Sequence, residues 1–231
     1  MKTAYGDLIK FLRDERSLSQ TEVAAKLEMS RASYIALERG SKELTLKEAV
    51  AVTTLFGITI ETLLATTPPH LDTYKEMIRA FLRLAATDKT VIKKTKLAKL
   101  LYLADFGWYY LHRESLSNLP YRKCDFGPTP DAFFRLLEEM ELEGIITVTQ
   151  VARDDYHMYE ISETRAAQKQ SLIHLSKKQQ THVEKIWTAW AKASTAEILK
   201  FTNEQAPYQE AISGEILSYD AILSEEAHNV W

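Results

Sequence analysis

Arg31 is the side chain of this sequence best suited to reading a nucleic-acid base. It stands in the run Ser30-Arg31-Ala32-Ser33, directly behind the tight turn Glu28-Met29-Ser30, and a guanidinium matches guanine O6 and N7 with two parallel donors. Gln20, at the start of the preceding short helix, can offer its amide and the free helix N–H groups to a phosphate. Elsewhere the chemistry is thin. His70, His112, His157, His174, His182 and His228 are scattered, and none stands at i, i+4 with another histidine or a suitable carboxylate, so neither a metal site nor a cofactor is expected. Asp154-Asp155 and Glu138-Glu139 read as a solvated turn and surface charge. Cys124, the single cysteine, has no local histidine to activate it and reads as an inert thiol. Lys89, Lys93, Lys94, Lys96 and Lys99 form the one strongly basic stretch; it suits DNA, an acidic partner or a solvated helix face. No nucleophile–base pair and no glycine-rich phosphate loop emerges, so the chain is not expected to be an enzyme.

The elements that must hold these groups are mostly helices. Tyr5, Leu8, Ile9 and Leu12 fall at i, i+3, i+4, i+7. Ser19-Gln20-Thr21-Glu22 is a capping box opening a helix with Val23, Ala24 and Leu27 on its apolar face. Ser30 caps a third helix running from Arg31 to about Arg39 and stopping at Gly40. Thr45-Leu46-Lys47-Glu48 is a second capping box, for a helix ending at Gly57, and a fifth helix starts behind Thr59. Thr66-Thr67-Pro68-Pro69-His70 interrupts the pattern, because two prolines remove donors and turn the preceding residues away from helix. The chain therefore divides into 1–67 and 68–231. In the second part Leu97, Leu100, Leu101, Ala104, Trp108 and Leu111 keep helical period, as do Phe133, Leu136, Leu137 and Met140. Ile146, Val148, Tyr159 and Ile161 alternate about Arg153-Asp154-Asp155 as a β-hairpin. Helix returns at Val183, Ile186, Trp187 and Trp190, then behind the capping box Ser194-Thr195-Ala196-Glu197. The fold class is mostly α: a five-helix domain, then a mainly helical domain with one β-hairpin.

With 45% hydrophobic and 26% charged residues over 231 positions, the chain reads as globular. Its 29 Lys+Arg against 32 Asp+Glu give a net charge of −3, so no overall basic character advertises nucleic acid. Nothing approaches the ~20-residue apolar run of a membrane span, and the opening residues do not read as a signal peptide. A cytoplasmic protein without a membrane partner is expected.

Two short helices joined by a tight turn inside a five-helix unit suit a helix-turn-helix, in which the second helix of the pair enters the major groove. Ser19-Gln20-Thr21-Glu22-Val23-Ala24, Met29-Ser30-Arg31, Ile35 and Leu37-Glu38-Arg39-Gly40 resemble the lambda-repressor/Cro type. The resemblance implies phosphate contacts from Gln20 and Arg39, a structural ion pair between Arg13 and Glu38, and Arg31, Ala32 and Ala36 facing bases. With Ser30 and Ser33, these make the candidate DNA-binding set Gln20, Ser30, Arg31, Ala32, Ser33 and Arg39. Across residues 1–67 nine Lys/Arg balance nine Asp/Glu; a monomer should then bind weakly, a dimer on a two-fold site better. The competing reading is a docking bundle that touches no DNA.

In the second domain, Thr95-Lys96-Leu97-Ala98-Lys99-Leu100-Leu101-Tyr102-Leu103-Ala104-Asp105, Asp125-Phe126-Gly127-Pro128-Thr129-Pro130 and Phe201-Thr202-Asn203-Glu204-Gln205-Ala206-Pro207-Tyr208 resemble, in order, three motifs of the Panacea (SocA-like) antitoxin domain. Asn203 and Tyr208 stand where that family has His and Trp. The resemblance implies an antitoxin that neutralises a cognate protein toxin by binding and represses its own operon through operator DNA, as a homodimer or a toxin–antitoxin hetero-oligomer. Lys96, Lys99, Tyr102, Asp105 and Tyr109 are the candidate toxin-binding residues, with Trp108, Tyr110 and Tyr121 as further aromatic anchors; a capped or ion-paired helix is the alternative for the charged ones, and a place in the core for most of the aromatic ones. Two other functions remain open: a regulator whose C-terminal domain senses a small ligand in a closed apolar pocket, and an adaptor that delivers a toxin to a protease.

Overall fold

The computed structural model describes residues 5–64, 69–153 and 156–231. It resolves into two units, Met1–Pro69 with Gly214–Ile216, and His70–Ser213 with Leu217–Trp231. Most of the expected linker, and Asp154-Asp155 of the expected turn, lie outside the described residues.

The first unit holds α1 (Tyr5–Glu15), α2 (Gln20–Lys26), α3 (Arg31–Glu38), α4 (Leu46–Phe56) and α5 (Ile60–Leu64). Each start has its chemical reason. Ser19 Oγ accepts from Glu22 N at 3.2 Å while Glu22 Oε2 accepts from Ser19 N at 2.7 Å, and Thr45 and Glu48 repeat the reciprocal pair on α4. Each box satisfies amides that the first helical turn leaves orphaned. Ser30 Oγ accepts from Ser33 N at 3.1 Å to open α3. Leu8, Ile9, Leu12, Val23, Ala24, Leu27, Leu37 and Phe56 close one core. Gly6 lets α1 lie against the end of α3: a Cβ there would meet the Glu38 and Leu37 carbonyl oxygens at 2.7 and 2.8 Å. The division at residue 67 misplaces one short piece. Gly214–Ile216 belongs with this unit, because the Ile216 side chain enters its apolar core.

The second unit is built around α7 (Lys94–His112), in which every residue from Leu97 to Trp108 is buried. A helix covered all round is an interior element. It is flanked by α6 (Leu71–Thr87), α10 (Lys177–Trp190) and α11 (Thr195–Glu204). The expected hairpin is present as β4 (Ile146–Arg153) and β5 (Tyr156–Glu163), with Val148 opposite Ile161. A third strand, not expected from the sequence pattern, is the two-residue β1 (Ile92–Lys93), which pairs with β5 and completes the order β1-β5-β4. A second ladder joins β2 (Tyr121–Arg122) to β3 (Thr129–Pro130), and α8 (Ala132–Leu142) lies on β4. Short helices α9 (Arg165–Gln168) and α12 (Ala206–Glu210) and two 3₁₀ turns, Asp220–Ser224 and Ala227–Asn229, complete it. Buried Glu163 accepts from Arg79 Nε and Arg83 Nε, each at 2.8 Å, and ties α6 to β5. No helix among the described residues is long and apolar enough to cross a membrane.

Candidate functional site

On the first unit, α2 and α3 form the helix pair and the turn between them ends in the Ser30 cap. Arg31 and Ala32, in the first turn of α3, are exposed, as is Arg39 at its end; Ser33 and Gln20 are half-buried. The Ser30 hydroxyl is engaged as cap, so its accepting capacity is shared with the helix. A hydrogen-bond relay then runs from the interior to the exposed face. Arg13 Nε donates to Glu38 Oε1 at 2.5 Å, Gln20 Nε2 donates to Glu38 Oε2 at 2.9 Å, and Arg31 Nη2 donates to Gln20 Oε1 at 3.3 Å. The ion pair implied by the resemblance is therefore present, and both ends of the Gln20 amide are occupied. Burial by itself would raise the Glu38 carboxyl, but the bonds from Arg13 and Gln20 outweigh it and hold the group below its ordinary value.

On the second unit, the polar residues of α7 are used by the fold. Lys96 Nζ donates to the Ala191 and Ala193 carbonyls at 2.9 and 2.6 Å, a cation at the C-terminal end of α10. Lys99, 1% exposed, donates to Pro128 O at 2.8 Å and Thr129 Oγ1 at 3.1 Å; burial lowers its ammonium pKa to about 7. Asp105, fully buried, accepts from the Leu116 and Ser117 amides at 2.8 and 3.2 Å and from the Ser117 hydroxyl. Desolvation raises that carboxyl despite these bonds. Tyr102 is fully buried against Phe106, with ring centroids 4.4 Å apart. Lys99, Tyr102 and Asp105 thus present no surface to a protein, and the expectation that they touch a toxin gives way to internal roles. Trp108 and Tyr121 are likewise buried. Of the set, Lys96 and Tyr109 stay half-exposed; the Tyr109 hydroxyl donates to Asp220 Oδ1 at 2.5 Å, and burial with that neighbour pushes its pKa up to about 12.

The three C-terminal motifs meet at one place. Gly127, at φ +83°, lets the turn lie so close that a Cβ would stand 2.7 Å from Leu199 Cδ1, 2.9 Å from Lys99 Cε and 3.0 Å from Asn203 Oδ1. Tyr208, in the position of the family's Trp, donates its hydroxyl to Cys124 O at 2.9 Å. Lys99, the Gly127-Pro128 turn and Asn203 therefore form a latch, not a surface. Desolvation raises the Cys124 thiol, the direction of an unreactive cysteine. The exposed aromatic side chains of this unit lie elsewhere. Phe126 and Phe134 are exposed, and Lys94 Nζ stands 5.3 Å from the Phe134 ring centroid and 4.4 Å from that of half-exposed Tyr159. Phe134 falls beside the buried stripe of Phe133, Leu136, Leu137 and Met140 and so points away from the core. Among the described residues no three His, Cys, Asp or Glu side chains are placed to hold a metal ion.

Residues 9–63 match the helix-turn-helix family, and residues 97–209 match the antitoxin SocA-like, Panacea domain. No curated protein and no solved structure matches the chain.

Proposed function

We propose, from the premise that this chain joins a helix-turn-helix to a SocA-like Panacea domain, that it is the antitoxin of a toxin–antitoxin pair. The C-terminal domain binds a co-encoded protein toxin and blocks it; the N-terminal domain binds operator DNA and represses the shared promoter. Its work is binding, not turnover. The single observation carrying this reading is the presence of both domains on one chain, with Arg31, Ala32 and Arg39 on the open face of the helix pair. Arg31 is the base reader in this scheme. Arg39 and the α2 N-terminus with Gln20 hold phosphates, and Ser30, Ala32 and Ser33 line the base edges. For the toxin, exposed aromatic anchors carry most of an interface's energy. Phe134, Tyr159 and Phe126, with Lys94, fit that role better than the buried Tyr102, and Lys96 and Tyr109 lie at most at a rim.

Growth of a bacterial host expressing the neighbouring gene tests the reading. The full chain and its Arg31→Ala/Arg39→Ala variant should both restore growth with the toxin driven from a foreign promoter, with toxin abundance unchanged. A harmless neighbour, or no rescue, overturns neutralisation. Falling toxin abundance would point instead to delivery to a protease.

A further inference from the structure

Between α7 and α10 runs a groove of about 340 Å³ with three lysines in its lining. Lys177, Lys178 and Lys185 stand on one wall, and Trp108, Leu111 and His112 on the other. No carboxylate lines it, although acidic residues outnumber basic ones in the chain. Among the described residues none of the three lysines takes part in an ion pair. Lys177 and Lys178 occupy the first turn of α10, where the helix dipole also favours an anion. Lys185 is eight residues on, about 12 Å along the axis at 1.5 Å per residue. The opposite wall is aromatic and apolar: the Trp108 and His112 ring centroids lie 3.9 Å apart, and Leu111 is 50% exposed. Trp108 is only 7% exposed, yet its Nε1–H has no acceptor, and a buried donor left unpaired is costly.

Three ammonium groups spread over that length, facing a half-exposed apolar edge, ask for a ligand that is polyanionic along one side and flat and weakly polar on the other. The volume is that of a small-molecule site. A nucleic-acid strand would need the basic path to continue, but the adjoining hollow past Lys185 is lined by Glu184, Thr188, Ala189 and Trp231 and adds no further cation. An acidic peptide brings single carboxylates and no obligatory planar group. We propose that this groove binds a nucleoside polyphosphate, with its phosphates along Lys177, Lys178 and Lys185 and its base against the exposed Leu111 and His112. The site is independent of the toxin reading and, being open and charged, is unlike the closed apolar pocket of a hydrophobic-ligand sensor.

Isothermal titration of the full chain at low salt, without toxin or DNA, tests it with two probes, ATP and inorganic tripolyphosphate. ATP should bind saturably at one site, at least tenfold more tightly than tripolyphosphate. Lys177→Glu/Lys178→Glu, both at exposed positions, should weaken ATP at least tenfold with an unchanged melting temperature. Leu111→Ser should bring ATP down towards tripolyphosphate. The proposal is overturned by absence of saturable ATP binding, by equal affinity for the two probes, or by ATP binding that the lysine variant leaves intact.

Discussion

At the scale of single residues, the exposed Arg31 and the buried Tyr102 make opposite predictions. If Arg31 reads a base as proposed, Arg31→Ala should cost about 1–3 kcal/mol of operator affinity and relax specificity at one base position. A gel shift at fixed salt with no change of midpoint would remove Arg31 from the reading role. Tyr102 carries a hydroxyl that is buried and finds no hydrogen-bond partner. Its removal in Tyr102→Phe should leave stability unchanged or raise it by about 1 kcal/mol and leave toxin neutralisation untouched. A loss of neutralisation at unchanged melting temperature would return this residue to the interface. The contrast also marks what sequence can tell. Arg31 follows a tight turn and a capping serine, local signals that place it. Lys99, Tyr102 and Asp105 sit on a helix buried on every side, where the periodic stripe of Leu97, Leu100, Leu101, Ala104 and Trp108 marks one covered face and leaves a polar residue off it looking exposed. The partners that hold Lys99 and Asp105 inside, Pro128, Thr129 and Ser117, come from later segments of the chain whose positions no local pattern encodes.

At the scale of elements, helix starts were the most legible features, because a capping box is a chemical statement within four residues. The boxes at Ser19, Thr45 and Ser194 open α2, α4 and α11 as expected. A fourth, Ser176 with Gln179, went unread, as did all of α6, though Tyr74, Met77, Ile78, Phe81 and Leu82 keep a helical stripe and are buried. β1 was out of reach: two residues are too few to alternate, and its partner lies in β5. The α7–α10 contact carries a pH prediction. His182 Nε2 donates to Ala104 O at 2.9 Å, and burial, aided by His112 and Lys185, lowers its pKa from 6.5 to about 4. Below pH 6.5 the unfolded chain takes the proton first. The stability owed to the neutral ring is thus complete above pH 6.5 and falls away as the pH drops towards 4, by up to about 3 kcal/mol. His182→Gln, which keeps a donor and does not titrate, should flatten the fall of melting temperature over that window relative to the parent. Parallel profiles would show the ring to be silent.

At the scale of the whole molecule, charge and chain path matter most. The helix-turn-helix part is electrically balanced, so on the proposed reading few phosphate contacts would stand behind its affinity for DNA. Arg39→Ala should weaken operator binding evenly across sequences and reduce the slope of log affinity against log salt by about one; an unaltered slope would exclude a phosphate contact there. The chain path bears on stability. Ile216 is 6% exposed within the first unit's core, so Ile216→Ala should destabilise that unit by about 2–5 kcal/mol, read as earlier loss of amide-exchange protection in α1–α5. Equal protection in both proteins would leave the side chain idle. The feature has a hereditary side. Exchange of coding segments shuffles modules cleanly only when each module is one unbroken stretch, and here the DNA-binding module is completed by three residues encoded about 145 codons downstream of its own end. A crossover near codon 70 would deliver a C-terminal half that must bring its own substitute for Ile216, which narrows the lineages with which this gene can trade halves.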